Sequence, residues 1–217
     1  MVQMIKVWDA PTRFFHWTLV ALFAGMWFSG EQGGDWLRYH VLCGEAVAAL
    51  LLFRLIWGVV GSETARFSQF IKGPAAIRRY LKGEGDGKQL GHNPLGGLMV
   101  VALLTVLLLQ VASGLFASDV DSYTFDGPLA KLIASGLSES ITGFHKLLFN
   151  FILLLVAMHV AAIVAYRVLK KQNLVKPMLT GYQQVAGDVS PLRFRSGLVA
   201  VLALLAAGGG VFLLTRL

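Results

Sequence analysis

The chain has 217 residues, 56% of them hydrophobic and 14% charged, with a mean hydropathy of +0.66 and a formal net charge of +7. A soluble domain of this size carries about 25% charged residues, so the composition excludes an ordinary water-soluble fold. The single cysteine, Cys43, excludes an internal disulfide, and its apolar setting reads as a small buried hydrophobe.

Apolar residues gather into five blocks, roughly Arg13–Gly30, Tyr39–Val60, Pro94–Ala117, Gly143–Val168 and Gly197–Thr215. Each is near the ~20 residues that a helix needs to cross ~30 Å of hydrocarbon. None alternates as a strand does, so the expected class is all-α, an integral membrane helical bundle rather than a barrel. The first block lacks an A-x-A-like cleavage site and is expected to be a retained helix. After the second block, residues 61–93 carry Arg66, Lys72, Arg78, Arg79, Lys82 and Lys88. Within them Phe67, Phe70, Ile71, Ile77, Tyr80 and Leu81 can form one apolar side of an interfacial segment. Pro74 is expected to interrupt that segment and Gly83–Gly87 to end it, leaving a loop on the headgroups.

The third block opens at Gly91-His92-Asn93-Pro94, where Asn93 suits the helix cap and Pro94 the first turn. An acidic connection with Asp119, Asp121, Asp126 and Glu139 leads to the fourth block, HKLLFNFILLLVAMH and its flanks. A basic stretch with Arg167, Lys170, Lys171, Lys176, Arg193 and Arg195 precedes the fifth. Basic connections face the cytoplasm, which places the N-terminus inside and the C-terminus outside. The positive charge thus reports topology and anionic membrane lipid, and calls for no nucleic acid. No internal repeat, linker or further domain is visible.

Four of the five histidines fall inside or at the ends of these blocks. Under the charge-derived topology His16 and His159 lie near the cytoplasmic side, and His40 and His145 near the outer side. His145 and His159 are fourteen residues apart, about 21 Å along a helix and only ~40° short of four whole turns. They face nearly the same way, one near each surface, so the four histidines sort into two pairs by depth. Zinc wants further ligands that no cysteine or carboxylate cluster supplies. Two imidazoles on separate helices suit the axial positions of a haem iron. Gly25, Gly44, Gly114 and Gly143 are candidates for backbone under the macrocycle, or for ordinary close helix packing. Arg54, fourteen residues after His40, and Arg13, one turn before His16, can pair with inner propionates. Lys146 is placed to serve the outer haem or to snorkel to the surface.

The stretches VWDAPTRFFHW, YHVLCGEAVAALLLFRLIWGVVG and GHNPLGG, with the His-x13-His spacing of the fourth block, resemble the bacterial di-haem b-type cytochromes. That family includes membrane subunits of nickel–iron hydrogenases and formate dehydrogenases, and stand-alone relatives such as superoxide oxidases. The resemblance covers about residues 5–175. It implies a four-helix di-haem core with His16, His40, His145 and His159 as axial ligands of two b haems. The fifth C-terminal transmembrane helix departs from the pattern, so the chain divides into a cytochrome b domain, 1–175, and a cytoplasmic connection with that helix, 176–217.

Bis-histidine ligation leaves no open iron position, which suits electron transfer. The resemblance implies a quinone near the inner haem, touched by His92 or Asn93, and a multi-pass protein of the bacterial inner membrane. The expected partner is a periplasmic cytochrome c or a dehydrogenase or hydrogenase subunit; a homodimer fits the family but no residue marks it. A stand-alone superoxide oxidase reducing quinone is the competing activity, although its site would favour a cationic outer funnel where these loops are acidic. A haem-free transporter with histidine proton relays is the remote alternative, opposed by the depth pairing and the lack of repeated, broken helices.

Overall fold

In the computed structural model, residues 2–84, 90–119, 121, 125–187 and 190–217 are described. Gly85, Asp86, Gly87 and Lys88 of the basic connection lie outside them. The N-terminal strand β1 (Val2–Lys6) leads to Asp9, whose carboxylate accepts the Thr12 amide at 2.7 Å. That bond satisfies one of the orphan donors of a helix start, and with Pro11 in the first turn it opens α1 (Ala10–Gln32). A tight turn at Gly33 and Gly34 leads into α2 (Leu37–Val60). Two short helices follow, α3 (Phe67–Phe70) and α4 (Pro74–Leu81), then α5 (Pro94–Phe116) and the 35-residue α6 (Ser135–Leu169). The chain closes through α7 (Val175–Thr180), β2 (Tyr182–Ala186) and α8 (Gly197–Leu214).

Among the described residues, four helical stretches are long and apolar enough to cross a membrane: Gly34–Val60, Pro94–Phe116, Ser135–Leu169 and Gly197–Leu214. α1 matches them in length but not in apolar content, because Thr12, Arg13, His16, Ser29 and Glu31 fall within it. Its outward face is still apolar, with Phe14, Val20, Trp27 and Phe28 exposed. The reading of α1 as a fifth span therefore rests on length and placement, not on hydropathy alone.

α2 is the central element and packs against α1, α5 and α8. Its buried Val47, Leu50, Leu51, Phe53 and Trp57 meet Phe15 of α1, Leu104 of α5 and Ala200, Ala203 and Ala207 of α8. The alanines let two backbones approach closely, the usual basis of helix association in lipid. α5 and α6 pack through Val106, Leu148, Ile152 and Leu155. α1 reaches α6 with Phe23 and Trp27 against Phe149, at ring-centre distances of 6.2 and 6.1 Å.

At one end, β1 pairs antiparallel with β2, from Val2 opposite Ala186 to Lys6 opposite Tyr182. The Thr64 hydroxyl donates to the Val7 carbonyl at 2.6 Å, and the Arg195 amide to the Ser62 hydroxyl at 3.1 Å. The start of α1, the ends of α2 and α6 and the start of α8 are thus tied together, and the basic connections meet there. The acidic connections meet at the other end, as the charge pattern anticipates.

The basic connection differs from the sequence reading. Pro74 does interrupt the segment, but it also starts a new helix, since the first helical position needs no N–H, so two short helices stand where a loop was expected. Its apolar residues also split. Phe70 is buried and the Phe67 ring lies over Gly58, where a Cβ would collide with it, whereas Ile71 and Leu81 are exposed.

Candidate functional site

At the acidic end, between α1, α2, α5 and α6, lies a cavity of about 1020 Å³ whose lining includes His40, His145, Gly44, Gly114 and Leu107. This is the top of the range of about 300–1,000 Å³ for cofactor and ligand pockets. The His40 and His145 ring centres are 6.2 Å apart with their planes at 77°. A metal held between two imidazole nitrogens at about 2 Å each needs ring centres roughly 6 Å apart, so the pair matches that demand.

Hydrogen bonds set the tautomer of both rings. His40 Nδ1 donates to the Met26 carbonyl at 2.9 Å. His145 Nδ1 lies 3.0 Å from both the Gln110 carbonyl and the Ser113 hydroxyl, and that hydroxyl donates to the same carbonyl at 2.9 Å. A neutral imidazole has one donor and one acceptor nitrogen, so each Nε2 keeps its lone pair. On His145 that nitrogen accepts from the Gln110 side-chain amide at 3.0 Å. Carbonyls behind a ligating imidazole fix its orientation and raise its basicity.

A Cβ on Gly114 would come within 2.9 Å of His145 Cε1, and one on Gly30 within 3.1 Å of His40 Nδ1. The two rings thus rest directly on backbone. Gly44 also faces the cavity. A Cβ on Gly25 or Gly143 would meet nothing within 4 Å, and neither glycine lines the cavity. These two of the four expected glycines therefore do not touch the His40 or His145 ring. Lys146 lines the mouth and pairs with Asp121 at 2.9 Å, both side chains largely exposed.

At the basic end His16 and His159 are close enough to interact electrostatically. His16 packs edge-on against Trp17 at 4.9 Å, and its Nδ1 is covered without a hydrogen-bond partner. Arg54 is 2% exposed and makes no hydrogen bond among the described residues; its guanidinium lies 4.8 Å from the Phe67 ring centre. The nearby Asp9 carboxylate is already held by Thr12 and by Trp57 Nε1 at 3.0 Å. A buried cation without a paired anion is costly, so this guanidinium fits an incoming carboxylate such as a haem propionate. The facing His40–His145 pair, glycine beneath those two rings and an orphaned cation at the other end together fit the haem expected from the sequence.

Arg13 donates through Nη1 to the Leu179 carbonyl at 2.6 Å, and its buried Nε has no partner among the described residues. Asn93 caps α5 as expected, its Oδ1 accepting the Gly96 amide at 2.7 Å. His92 lies between Trp8 and Phe70, at 4.7 and 4.5 Å between ring centres, and its Nδ1 is covered and unpartnered. Burial, then the charges of Arg54 and His159, hold its pKa down to about 3. Sequence reasoning missed Gln110, Ser113, Tyr80 and Tyr166. Gln110 left a signal, a lone amide within an apolar span; Tyr166 left none, being one more aromatic near a helix end.

Residues 7–181 match the family model described as prokaryotic cytochrome b561. The chain is 25% identical over 215 residues to a probable Ni/Fe-hydrogenase B-type cytochrome subunit of Rhizobium leguminosarum bv. viciae, covering 82% of this chain and 88% of that protein. It is likewise 25% identical over 216 residues to the protein of the same description from Azotobacter vinelandii, covering 85% and 90%. A third, from Cupriavidus necator, is 21% identical over 216 residues, covering 84% and 88%. No solved structure gives a significant match.

Proposed function

Because the chain belongs to the prokaryotic cytochrome b561 family, and is a membrane b-type cytochrome of electron transport, we propose that its paired histidines hold two b haems linking a redox partner at the acidic end to quinone at the basic end. The observation that carries this reading is the His40–His145 pair, 6.2 Å apart, each ring tied at Nδ1 so that Nε2 is the acceptor nitrogen, met on His145 by the Gln110 amide. When bound, haem supplies reversible one-electron chemistry at an iron whose axial positions are filled.

His40 and His145 hold the outer haem and His16 and His159 the inner one. Arg54 meets an inner propionate. Leu107, Phe149 and Ile152 keep water from the outer site, which strengthens every electrostatic interaction inside it. His92 and Asn93 lie beside the quinone. The protein lies in the bacterial inner membrane, with its N-terminus in the cytoplasm and its C-terminus in the periplasm, because basic connections stay inside. Glu31, Asp35, Asp126 and Glu139 at the acidic end suit a basic redox partner, a periplasmic cytochrome c or a hydrogenase-type subunit as the relatives' descriptions suggest. The same charges repel superoxide, which weighs against a stand-alone superoxide oxidase.

The test is spectroscopic. The purified chain is expected to be red, to show reduced b-type α bands and to hold two haems per chain. H145A loses chiefly the outer haem and H159A chiefly the inner one. A colourless protein after expression with ample haem, or variants that each keep both haems, refutes the reading.

A further inference from the structure

At the basic end, three side chains that electron transfer leaves unused, Lys170, Tyr80 and Tyr166, are joined in a line that ends on Asn93. Lys170 Nζ donates to the Tyr80 hydroxyl at 3.3 Å and lies 5.0 and 4.8 Å from the ring centres of Tyr80 and Tyr166. The Tyr80 and Tyr166 hydroxyls are hydrogen-bonded to each other. Asn93 Nδ2 donates to the Tyr166 hydroxyl at 2.8 Å. The orientation of Asn93 is fixed, because its Oδ1 is taken by the helix cap. Lys170 is exposed to solvent, while both tyrosines are half-buried.

An ammonium and an amide nitrogen can only donate, so both ends of the tyrosine pair receive hydrogen bonds. The pair owns two hydroxyl protons, and one is spent between them. The other has no acceptor among the described residues. Tyr166 also follows His159 by seven residues, two helical turns, which puts it on the same face of α6 about 10 Å further along the axis. Asn93 follows His92 directly. With Tyr80 as the donor of that shared bond, the open hydroxyl is that of Tyr166, on the histidine-bearing face beside the residues assigned above to quinone.

We infer that Lys170, Tyr80 and Tyr166 form the route by which protons from the basic side reach a quinone reduced there. The inference rests on the quinone reading of the previous subsection. A quinone becomes a quinol by taking two electrons and two protons; the electrons come from the electron transfer of the chain and the protons from water. For each proton, the Tyr166 O–H bond breaks as an O–H bond forms on the reduced quinone oxygen. The Tyr80 proton moves to Tyr166, the Lys170 ammonium restores Tyr80, and water restores Lys170. Neither tyrosine is oxidised, and every group ends as it began.

The test uses the full haem-loaded chain in detergent, reduced with dithionite and freed of excess. It is mixed in stopped flow with a water-soluble short-chain quinone, or with ferricyanide, which takes electrons without protons. General acid catalysis is worth about 10²–10⁴-fold, so Y166F and Y80F are expected to slow oxidation by quinone at least tenfold while oxidation by ferricyanide keeps its rate. Imidazolium buffer is expected to restore part of the quinone rate, since it replaces a missing proton donor but not a missing structural contact. Wild-type quinone rates in both phenylalanine variants overturn the route. Equal slowing with quinone and ferricyanide, without buffer rescue, assigns the tyrosines to structure and also overturns it. A wild-type protein that quinone fails to oxidise overturns the underlying quinone reading instead.

Discussion

Gly114→Ala tests the outer site most directly. The added methyl would come within 2.9 Å of His145 Cε1, closer than carbon atoms pack, so the ring or α5 must move. The ring has little freedom, because its two nitrogens together meet Gln110 and Ser113 through contacts of 3.0 Å. Overpacking of this kind costs about 1–3 kcal/mol. At 1.36 kcal/mol per tenfold, the outer haem is expected to bind roughly 5- to 150-fold more weakly. Gly143→Ala and Gly25→Ala are the controls, because nothing lies within 4 Å of their new methyl groups. The assay is haem per chain after transfer to excess apomyoglobin, read with the reductive titration of the remaining haem. G114A should release one haem at least fivefold faster and leave the other unaffected, while both controls behave as wild type. If G114A keeps both haems at wild-type rates and potentials, His145 is not held against α5 as described and the outer-pair reasoning fails.

Arg54→Met removes the buried cation at the basic end, beside Phe67 and His92. A lost positive charge disfavours the reduced iron, so the potential of one haem should fall by about 70 mV, the order expected for a unit charge roughly 10 Å away at an effective dielectric near 20; an unchanged redox titration places the guanidinium away from any haem. His92 predicts a pH dependence. Its pKa is about 3 folded against the ordinary 6.5, so the unfolded chain binds the proton first and stability is lost as pH falls below about 6.5. Between pH 6.5 and 5 that amounts to about 2 kcal/mol, and H92N should lose less stability than wild type on the same acidification in detergent. Equal pH sensitivity of the two proteins would show that His92 titrates freely.

The four histidines were legible because helical rise and turn are fixed by backbone geometry, so His145 and His159 had to face one way at two depths. The partner helices then followed from charge alone. Arg54 was legible for the same reason, fourteen residues after His40, and Asn93 because a cap residue before proline has a local meaning. What was hidden depends on packing between elements. Whether Gly143 or Gly114 meets an imidazole depends on which face of its helix turns inward, and both lie in equally apolar surroundings. Gln110 supplies a carbonyl as well as an amide to His145, and a main-chain carbonyl leaves no mark in sequence. Pro74 has two local meanings, a stop or a start, and only the turn before it decides between them. Tyr80 and Tyr166 are separated by 86 residues, a pairing beyond any local pattern.

The strand that begins the chain also orders its assembly in time. Val2 finds its partner only when Ala186 has been made. At roughly 5–20 residues per second, β1 waits about 10–35 s for that partner. His40 and His145 can meet earlier, once α6 has entered the bilayer. The inner pair, whose helix ends are tied through β1 and β2, is completed later. Assembly thus has a built-in sequence, with the His40–His145 side free to form while the strand pairing at the basic end is still open.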